Sequence, residues 1–276
     1  MARLTRHVLG RGALRRHRVG ALLGALGVLV AIVVARPLGP VQALDRNEVR
    51  IFAQAPATFD PAVQGDAATA AVLAQLYETL TTYDAALTLQ PALAASWDVA
   101  ADGRSVVFHL RPGLTFSDGS ALTAQDVVGS WLRLIDPASP SPLVALMIDV
   151  RGARDHLAGR ESDPAKVGLK ANGSDVEVQL DRPGADFPAI VSAPIFAVVP
   201  PSAWRDHQPV FGLGGVVSGG YAVANVSPME ITLERNERYW AGPAPIRTMR
   251  LLLDIAGRST VAAFEAGDLD YTRREV

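Results

Sequence analysis

Few residues in this chain belong to the types that carry out covalent or metal chemistry. There is no cysteine, which excludes disulfides, thiolate metal sites and a cysteine nucleophile. The histidines have no metal-ligand spacing, and no Gly-x-Ser-x-Gly motif offers a serine nucleophile. Gly212–Gly215 is glycine-rich, but no Gly-Lys-Ser/Thr follows to complete a phosphate loop. We therefore expect a protein that is not an enzyme and that uses no cofactor or metal ion. The histidines are His7, His17, His109, His156 and His207.

The charges are distributed unevenly along the chain. Of the 26 basic side chains, seven arginines lie within residues 1–43, where there is no acid. The other 19 basic side chains are outnumbered by 28 acidic ones. Phosphate binding needs a basic face, so nucleic acid is not an expected partner of the acidic remainder.

Residues 1–43 have the composition of an export segment. The arginines come first, an uncharged apolar run follows over Val19–Ala35, and Val41-Gln42-Ala43 places small residues where a signal peptidase cuts. The alternative is a retained membrane anchor, for which 17 apolar residues are at the short limit. Both interpretations place residues 44–276 outside the cytoplasmic membrane, in the periplasm or on its outer face. Membrane contact is expected only through the N-terminal segment.

Hydrophobic spacing and turn residues predict a mixture of helices and strands. One helix is predicted over 67–80, and Thr123 is the predicted N-cap of another that ends near Ile135 and buries Trp131. Because strands and helices do not alternate strictly, we expect an α/β fold with a mixed sheet and an inserted α+β subdomain. Strands are predicted over 48–54, 106–110, 176–180, 196–199, 229–234 and 248–253, with a helix over 259–266 and the start of a strand at 269–271.

Six segments follow one another in an order and spacing that carry a family resemblance. They are TFDPA (58–62), LYETL (76–80), the stretch 91–137 beginning PALAASWDV, VEVQLDRP (176–183), ITLERNERYW (231–240) and AFEAGDLDY (263–271). Together they resemble the family-5 extracellular solute-binding proteins, which serve ABC importers of oligopeptides and dipeptides. The resemblance covers residues 48–276, and VSGGY (217–221) departs from the usual family pattern while keeping its tyrosine.

The resemblance implies a periplasmic-binding-protein-like fold of class II, cluster C type. It implies a first lobe formed by 44–76 and 184–276, with the inserted subdomain over 77–183. Family members are about twice as long, so we expect the second lobe to be absent from this sequence. A ligand would lie extended between two lobes and bind largely through main-chain groups.

Residues at matching positions become candidate ligand contacts. Each also has a simpler interpretation: Gly65, Asp66 and Ala67 as a loop before a helix, Leu143 as a packing residue, Tyr221 as support for a hinge, and Arg273 and Arg274 as a solvated terminus. Trp97, Trp131, Trp204 and Trp240 are predicted to pack in the core.

The resemblance implies the extracytoplasmic solute-binding component of an ABC importer. Its expected partners are a short peptide and the permease subunits of the importer. One alternative keeps the fold and changes the ligand to a nickel chelate, an opine, haem or an oligosaccharide. The other is a membrane-tethered interaction protein or a non-functional fragment.

Overall fold

The computed structural model describes residues 47–203 and 210–272. The predicted signal peptide or anchor over 1–43 lies outside these residues, as do Trp204 and His207. Within the described part of the chain, no helix combines the length and the apolar character that a membrane span needs.

Strands, α-helices and short 3-10 turns make up the regular structure of these residues. The strands are β1 (Glu48–Phe52), β2 (Thr81–Tyr83), β3 (Leu89–Pro91), β4 (Ala94–Val99), β5 (Ser105–Leu110), β6 (Leu169–Asn172), β7 (Asp175–Gln179), β8 (Tyr221–Val226), β9 (Glu230–Arg235) and β10 (Thr248–Leu252). The α-helices are α1 (Ala67–Leu76), α2 (Ala124–Leu132), α3 (Ala153–Leu157), α4 (Phe187–Ile190) and α5 (Thr260–Glu265). The 3-10 turns are Pro61–Val63, Arg133–Ile135, Val144–Met147, Pro164–Lys166, Pro194–Phe196 and Pro201–Ala203.

Four strands form a mixed sheet, called the main sheet here, in the order β1-β10-β9-β8. β1 runs parallel to β10, and the other neighbours are antiparallel. The parallel pair requires a long crossover connection, because a hairpin joins only antiparallel strands. Ile231 and Leu233 of β9 are buried in one cluster with Leu73 and Leu76 of α1, so α1 covers one face of the main sheet. The predicted mixed α/β sheet is confirmed.

The predicted helix over 67–80 is shorter in the structure. α1 ends at Leu76, and Tyr77 already has an extended backbone with φ −131° and ψ 141°. The N–H of Glu78 donates to Ser218 Oγ at 3.0 Å instead of to a helical carbonyl. The prediction was wrong in its last turn because tertiary hydrogen bonds override the helical spacing of the apolar residues there.

A second, antiparallel sheet has the order β4-β5-β7-β6 and is called the second sheet here. Buried and partly exposed residues alternate along its strands, because one face of the sheet packs on the core. Val106 and Phe108 of β5 are buried, and so are Val176 and Val178 of β7. α2 packs against β6 and β7. β2 and β3 form a separate antiparallel hairpin.

The start of α2 matches the prediction from sequence. The Thr123 N–H and hydroxyl donate to Asp126 Oδ2 at 2.8 Å and 2.7 Å. These bonds use groups that the first helical turn leaves unpaired. Trp131 is completely buried on the predicted face and donates from Nε1 to the Phe196 carbonyl at 2.9 Å. The N-cap and the buried face are both confirmed.

The predicted strand over 196–199 is wrong. A 3-10 turn occupies Pro194–Phe196, and residues 197–199 belong to none of the sheets. The N–H of Val199 donates to Ser130 Oγ at 3.0 Å, so a side chain replaces the strand partner. A short apolar run is compatible with any buried backbone, and its hydrophobicity alone could not distinguish a strand.

The bounds predicted for the lobe and the subdomain stay a prediction. The main sheet takes its strands from 48–52 and 221–252, whereas the second sheet takes them from 94–179. The larger core of the chain contains Phe108 and Trp131. Trp97 and Trp240 are half-buried and pack against this core, as predicted.

Candidate functional site

Hydrogen bonds fix the loop between β1 and α1, which leads to the first predicted contact residues. Asp60 Oδ1 accepts from the Ala62 N–H at 3.0 Å, and Asp60 Oδ2 accepts from the Arg133 guanidinium. The hydroxyl of the buried Thr69 accepts from the Ala57 N–H at 2.9 Å. The loop is therefore held to α1 and to the turn after α2 before any ligand arrives, which lowers the ordering cost of binding.

Gly65, Asp66 and Ala67 are exposed between this loop and α1. Asp66 caps the helix: its Oδ1 accepts from the Thr69 N–H at 2.8 Å, and its Oδ2 accepts from the Thr69 hydroxyl at 2.6 Å. The hydroxyl bond, followed by the backbone bond, holds the pKa of Asp66 below its ordinary value. The carboxylate is committed to the cap, while the N–H groups of Gly65, Asp66 and Ala67 donate to no acceptor in the described part of the chain.

The second predicted contact segment lies against the first. A Cβ built on Gly65 would be 3.3 Å from the Cβ of Pro142, so these backbones approach closely. Leu143 follows, is half-buried, and packs against the larger core, with its N–H donating to Ser141 Oγ at 3.3 Å. The structure thus brings Gly65 and Pro142 together, although they are far apart in sequence.

Tyr221 is placed in a different environment. It is buried at the start of β8, and its hydroxyl donates to the Ile246 carbonyl at 2.9 Å. Burial raises the pKa of this phenol. The side chain belongs to the core of the main sheet, which favours the interpretation as structural support over direct ligand contact. Arg273 and Arg274 lie outside the described residues.

A cleft of about 780 Å³ opens beside the loop between β1 and α1. Val63 lines it from the loop, Gln125 and Arg133 line it from α2 and the following turn, and His156 lines it from a third segment. The Arg133 guanidinium also lies 5.3 Å from the centroid of the Phe211 ring, within cation–π distance. The volume is in the range of ligand pockets. The cleft could not be predicted from sequence, because its walls come from separate segments.

A partly buried acid joins several segments that sequence analysis did not connect. Glu78 accepts a hydrogen bond from the Tyr239 hydroxyl. Burial raises the pKa of Glu78, and burial together with the nearby carboxylate raises the pKa of Tyr239. The neighbouring Trp240 ring lies 4.2 Å below the guanidinium carbon of Arg111. These contacts tie the end of α1 to segments after β5 and β9.

A further polar cluster places a histidine between two acids. His109 contacts Asp175 through Nδ1 at 2.9 Å and Asp98 through Nε2 at 3.0 Å. The carboxylates lie on opposite sides of the ring, so the three groups do not converge on one point. Among the described residues, no three histidines or acids are arranged to hold a metal ion.

Comparison with protein families gives a match over most of the chain. Residues 88–275 match the model for the middle part of bacterial extracellular solute-binding proteins, family 5. The periplasmic oligopeptide-binding protein OppA of Haemophilus influenzae is 32% identical over 232 residues, which are 79% of this chain and 41% of that protein. A probable deoxycholate-binding periplasmic protein of Escherichia coli, YgiS, is 30% identical, with 79% and 41% covered.

Solved structures show the same fold. The structure of Haemophilus influenzae OppA in complex with RPPGFSPFR aligns with a TM-score of 0.75 and 29% identity, and covers 82% of this chain and 45% of that one. The murein tripeptide binding protein MppA of Escherichia coli gives a TM-score of 0.75 and 26% identity, with 81% and 45% covered. The expected periplasmic-binding-protein-like fold is confirmed.

The aligned region spans less than half the length of these relatives. The family model covers more than half of the chain, and its match starts just before β3 and continues past α5. The chain belongs to the bacterial extracellular solute-binding proteins of family 5.

Proposed function

We propose that the protein is the solute-binding component of an ABC importer and that its ligand is an oligopeptide. The relatives named as oligopeptide-binding proteins support the ligand class. The single observation that carries the proposal is the exposed segment 65–67, which lies beside Pro142 and whose N–H groups have no acceptor among the described residues. We further propose that the chain acts outside the cytoplasmic membrane, is not an enzyme and delivers its ligand to permease subunits.

The backbone is extended on both sides of Gly65, as strand addition requires. Gln64 and Asp66 both have extended angles, with φ −70° and ψ 146° at the first and φ −132° and ψ 156° at the second. An extended peptide beside such a segment can form main-chain hydrogen bonds that do not depend on its sequence. Pro142 closes one side and limits the positions that the peptide can take. The cleft beside Val63 is large enough to receive a ligand side chain.

The charged ends of the peptide need other partners. The carboxylate of Asp66 accepts two hydrogen bonds from Thr69, so it is a poor partner for a ligand ammonium group. Arg273 and Arg274 remain proposed partners for a ligand carboxylate, which an arginine can bind through two parallel hydrogen bonds. Tyr221 is proposed to act indirectly, by supporting the main sheet.

Lobe closure around a ligand is the mechanism that we propose for the complete site. The aligned part of the chain covers less than half of its relatives' length, so we propose that this part supplies one wall of that site. A single wall forms only part of the hydrogen bonds and excludes water from one side only. Binding by this chain alone should therefore be weaker than micromolar.

Chemical-shift mapping tests the proposal, because it detects weak binding. The ¹⁵N-labelled chain would be titrated with tri- to pentapeptides, and the largest amide shifts are expected at 65–67 and at Leu143. Deoxycholate, a nickel chelate, haem and an oligosaccharide would be titrated in parallel. Peptide shifts that are absent at millimolar concentration, or that lie elsewhere, would overturn the proposed site. Micromolar affinity would overturn the one-wall interpretation alone.

A proline substitution can remove a main-chain donor of the proposed site without unfolding the helix that carries it. Ala67 is the first residue of α1, where proline is tolerated because that N–H has no helical partner. Ala67→Pro removes this donor and should abolish peptide-induced shifts at its neighbours while α1 stays folded. Thr260→Pro makes the same change at the first residue of α5 and should leave peptide shifts unchanged.

A further inference from the structure

A single imidazole spans three adjacent strands of the second sheet. His109 lies on β5, between Asp98 on β4 and Asp175 on β7. The distances are 2.9 Å from Nδ1 to Asp175 Oδ1 and 3.0 Å from Nε2 to Asp98 Oδ2. Both ring nitrogens therefore have a carboxylate oxygen at hydrogen-bond distance.

Strand register holds the three residues in this arrangement. His109 is directly opposite Asp175, and Asp98 is opposite Val107, one diagonal step from His109 on the same face. The adjacent Phe108 points into the core and is completely buried. The imidazole cannot move to the other face unless β5 slips in register, which would expose Phe108.

The contacts that the ring makes depend on its protonation. A neutral imidazole has one N–H and one lone pair, whereas the protonated ring donates from both nitrogens. Only the protonated ring can donate to Asp98 and Asp175 at once. In the neutral ring, one lone pair faces a carboxylate oxygen and that contact becomes repulsive. The hydrogen bond to Asp98, followed by that to Asp175, accordingly raises the pKa of His109 above the ordinary value of 6.5.

We propose that Asp98, His109 and Asp175 form a proton-sensitive clamp that fastens the edge strand β4 to the second sheet when His109 is protonated. Because the pKa is raised in the folded chain, the clamp stabilises the fold fully below the ordinary histidine value. Its contribution is lost as the pH rises through the raised value. This device is independent of the proposed peptide binding, so either proposal can fail alone.

Neighbouring charges on the same face modulate the clamp. Glu177 lies one step along β7 from Asp175 and accepts from Asn172 Nδ2 at 2.8 Å, while Lys170 lies opposite Glu177 on β6. A negative charge on this face, such as that of Glu177, favours a protonated ring, and a positive charge, such as that of Lys170, opposes it. The side chains of His109, Asp98 and Asp175 are 37%, 84% and 34% exposed. The Asp98 contact should therefore be the more sensitive to salt.

An NMR titration of His109 tests the central requirement. The ring Cε1–H shift would be followed from about pH 5 to about pH 9 in the native chain and in denaturing urea, a range that covers histidine titration. The native pKa should exceed the denatured value, and Asp98→Asn and Asp175→Asn should each lower it. Equal native and denatured values, or no change in either variant, would overturn the clamp.

Hydrogen exchange tests the consequence for β4. In the native chain, protection of the β4 amides, corrected for intrinsic exchange, should fall as the pH rises through the His109 transition. His109→Gln should remove this pH dependence. His156→Gln is the matched control, because His156 Nδ1 contacts the Glu161 backbone carbonyl at 3.0 Å and no carboxylate there. Persistence of the fall in His109→Gln would show that another group controls β4.

Discussion

Arg50 and Asp270 form a bidentate ion pair that holds the segment after α5 against β1, an edge strand of the main sheet. Nε lies 3.0 Å from Oδ2 and Nη2 lies 2.9 Å from Oδ1. The Arg50 backbone contributes two more hydrogen bonds: its N–H donates to the Asp270 side chain at Oδ2 at 2.8 Å, and its carbonyl accepts from the Asp270 N–H at 2.9 Å. A parallel bridge between Ile51 and Tyr271 follows, where the sequence predicted the start of a strand.

Asp270→Asn should destabilise the chain by about 1–3 kcal/mol at neutral pH, since it weakens charge-assisted hydrogen bonds in a mostly buried pair. The hydrogen bond from Arg50 lowers the pKa of Asp270. The stabilisation is therefore present above the ordinary aspartate value, about 3.9, and is lost as the pH falls through the lower folded value. Urea denaturation of both proteins at neutral and acidic pH should show the difference shrinking in acid.

Asp268→Asn provides a nearby comparison. Asp268 pairs with Arg258, but both side chains are more than two-fifths exposed. Exposed pairs contribute between 0 and about 1 kcal/mol, so this variant should lose less stability than Asp270→Asn. An equal loss in the two variants would mean that the Arg50 pair has no special role.

Trp131→Phe should destabilise the chain by about 2–4 kcal/mol, because it leaves a cavity and removes a buried donor. The ring is completely buried and packs edge-to-face on Phe108 and Phe196, at centroid distances of 6.1 Å and 5.5 Å. Its Nε1 also satisfies the Phe196 carbonyl. Thermal unfolding would measure the effect, with the half-buried Trp97→Phe as the control. A smaller loss at Trp131 than at Trp97 would contradict this account.

The parts of the fold that could be predicted are those with local causes. Thr123 and Asp126 are three residues apart, and their hydrogen bonds depend only on the helix that they start. The buried position of Trp131 follows from its spacing on the same helix. The end of α1 and the path of 196–199 depend instead on Ser218 and Ser130, which are distant in sequence, and both predictions were wrong.

The same distinction applies to the candidate site. The resemblance suggested 65–67 and Leu143 separately, but the contact of Gly65 with Pro142, the residue before Leu143, depends on how two distant loops pack. The helix-capping role of Asp66 is local, and its Thr69 partner could have been recognised from sequence. The clamp around His109 required the register of three strands, which no spacing within one strand reveals.

Glu78→Gln should change how stability depends on pH. Burial raises the pKa of Glu78, so its ionisation is less favourable in the folded chain than in the unfolded chain. The native chain loses stability as the pH rises through the pKa that Glu78 has in the folded state. Glutamine cannot ionise, so the variant does not lose this stability. The variant should therefore gain stability relative to the native chain over the pH interval that begins at the ordinary glutamate value, about 4.3. Urea denaturation across this interval would measure the trend, and a relative loss would contradict it.

Gly152→Ala should be more harmful than the same change at Gly159, although both glycines have left-handed backbones, with φ +73° and +68°. An alanine in this region costs about 1 kcal/mol at either position. At Gly152 the added Cβ would also lie 2.7 Å from the Lys166 carbonyl oxygen, whereas at Gly159 nothing lies within 4 Å. The backbone around α3 must shift to relieve the first contact, so Gly152→Ala should lose about 1–3 kcal/mol more. Urea denaturation of the two variants compares them directly, and equal losses would show that the backbone conformation alone accounts for the cost.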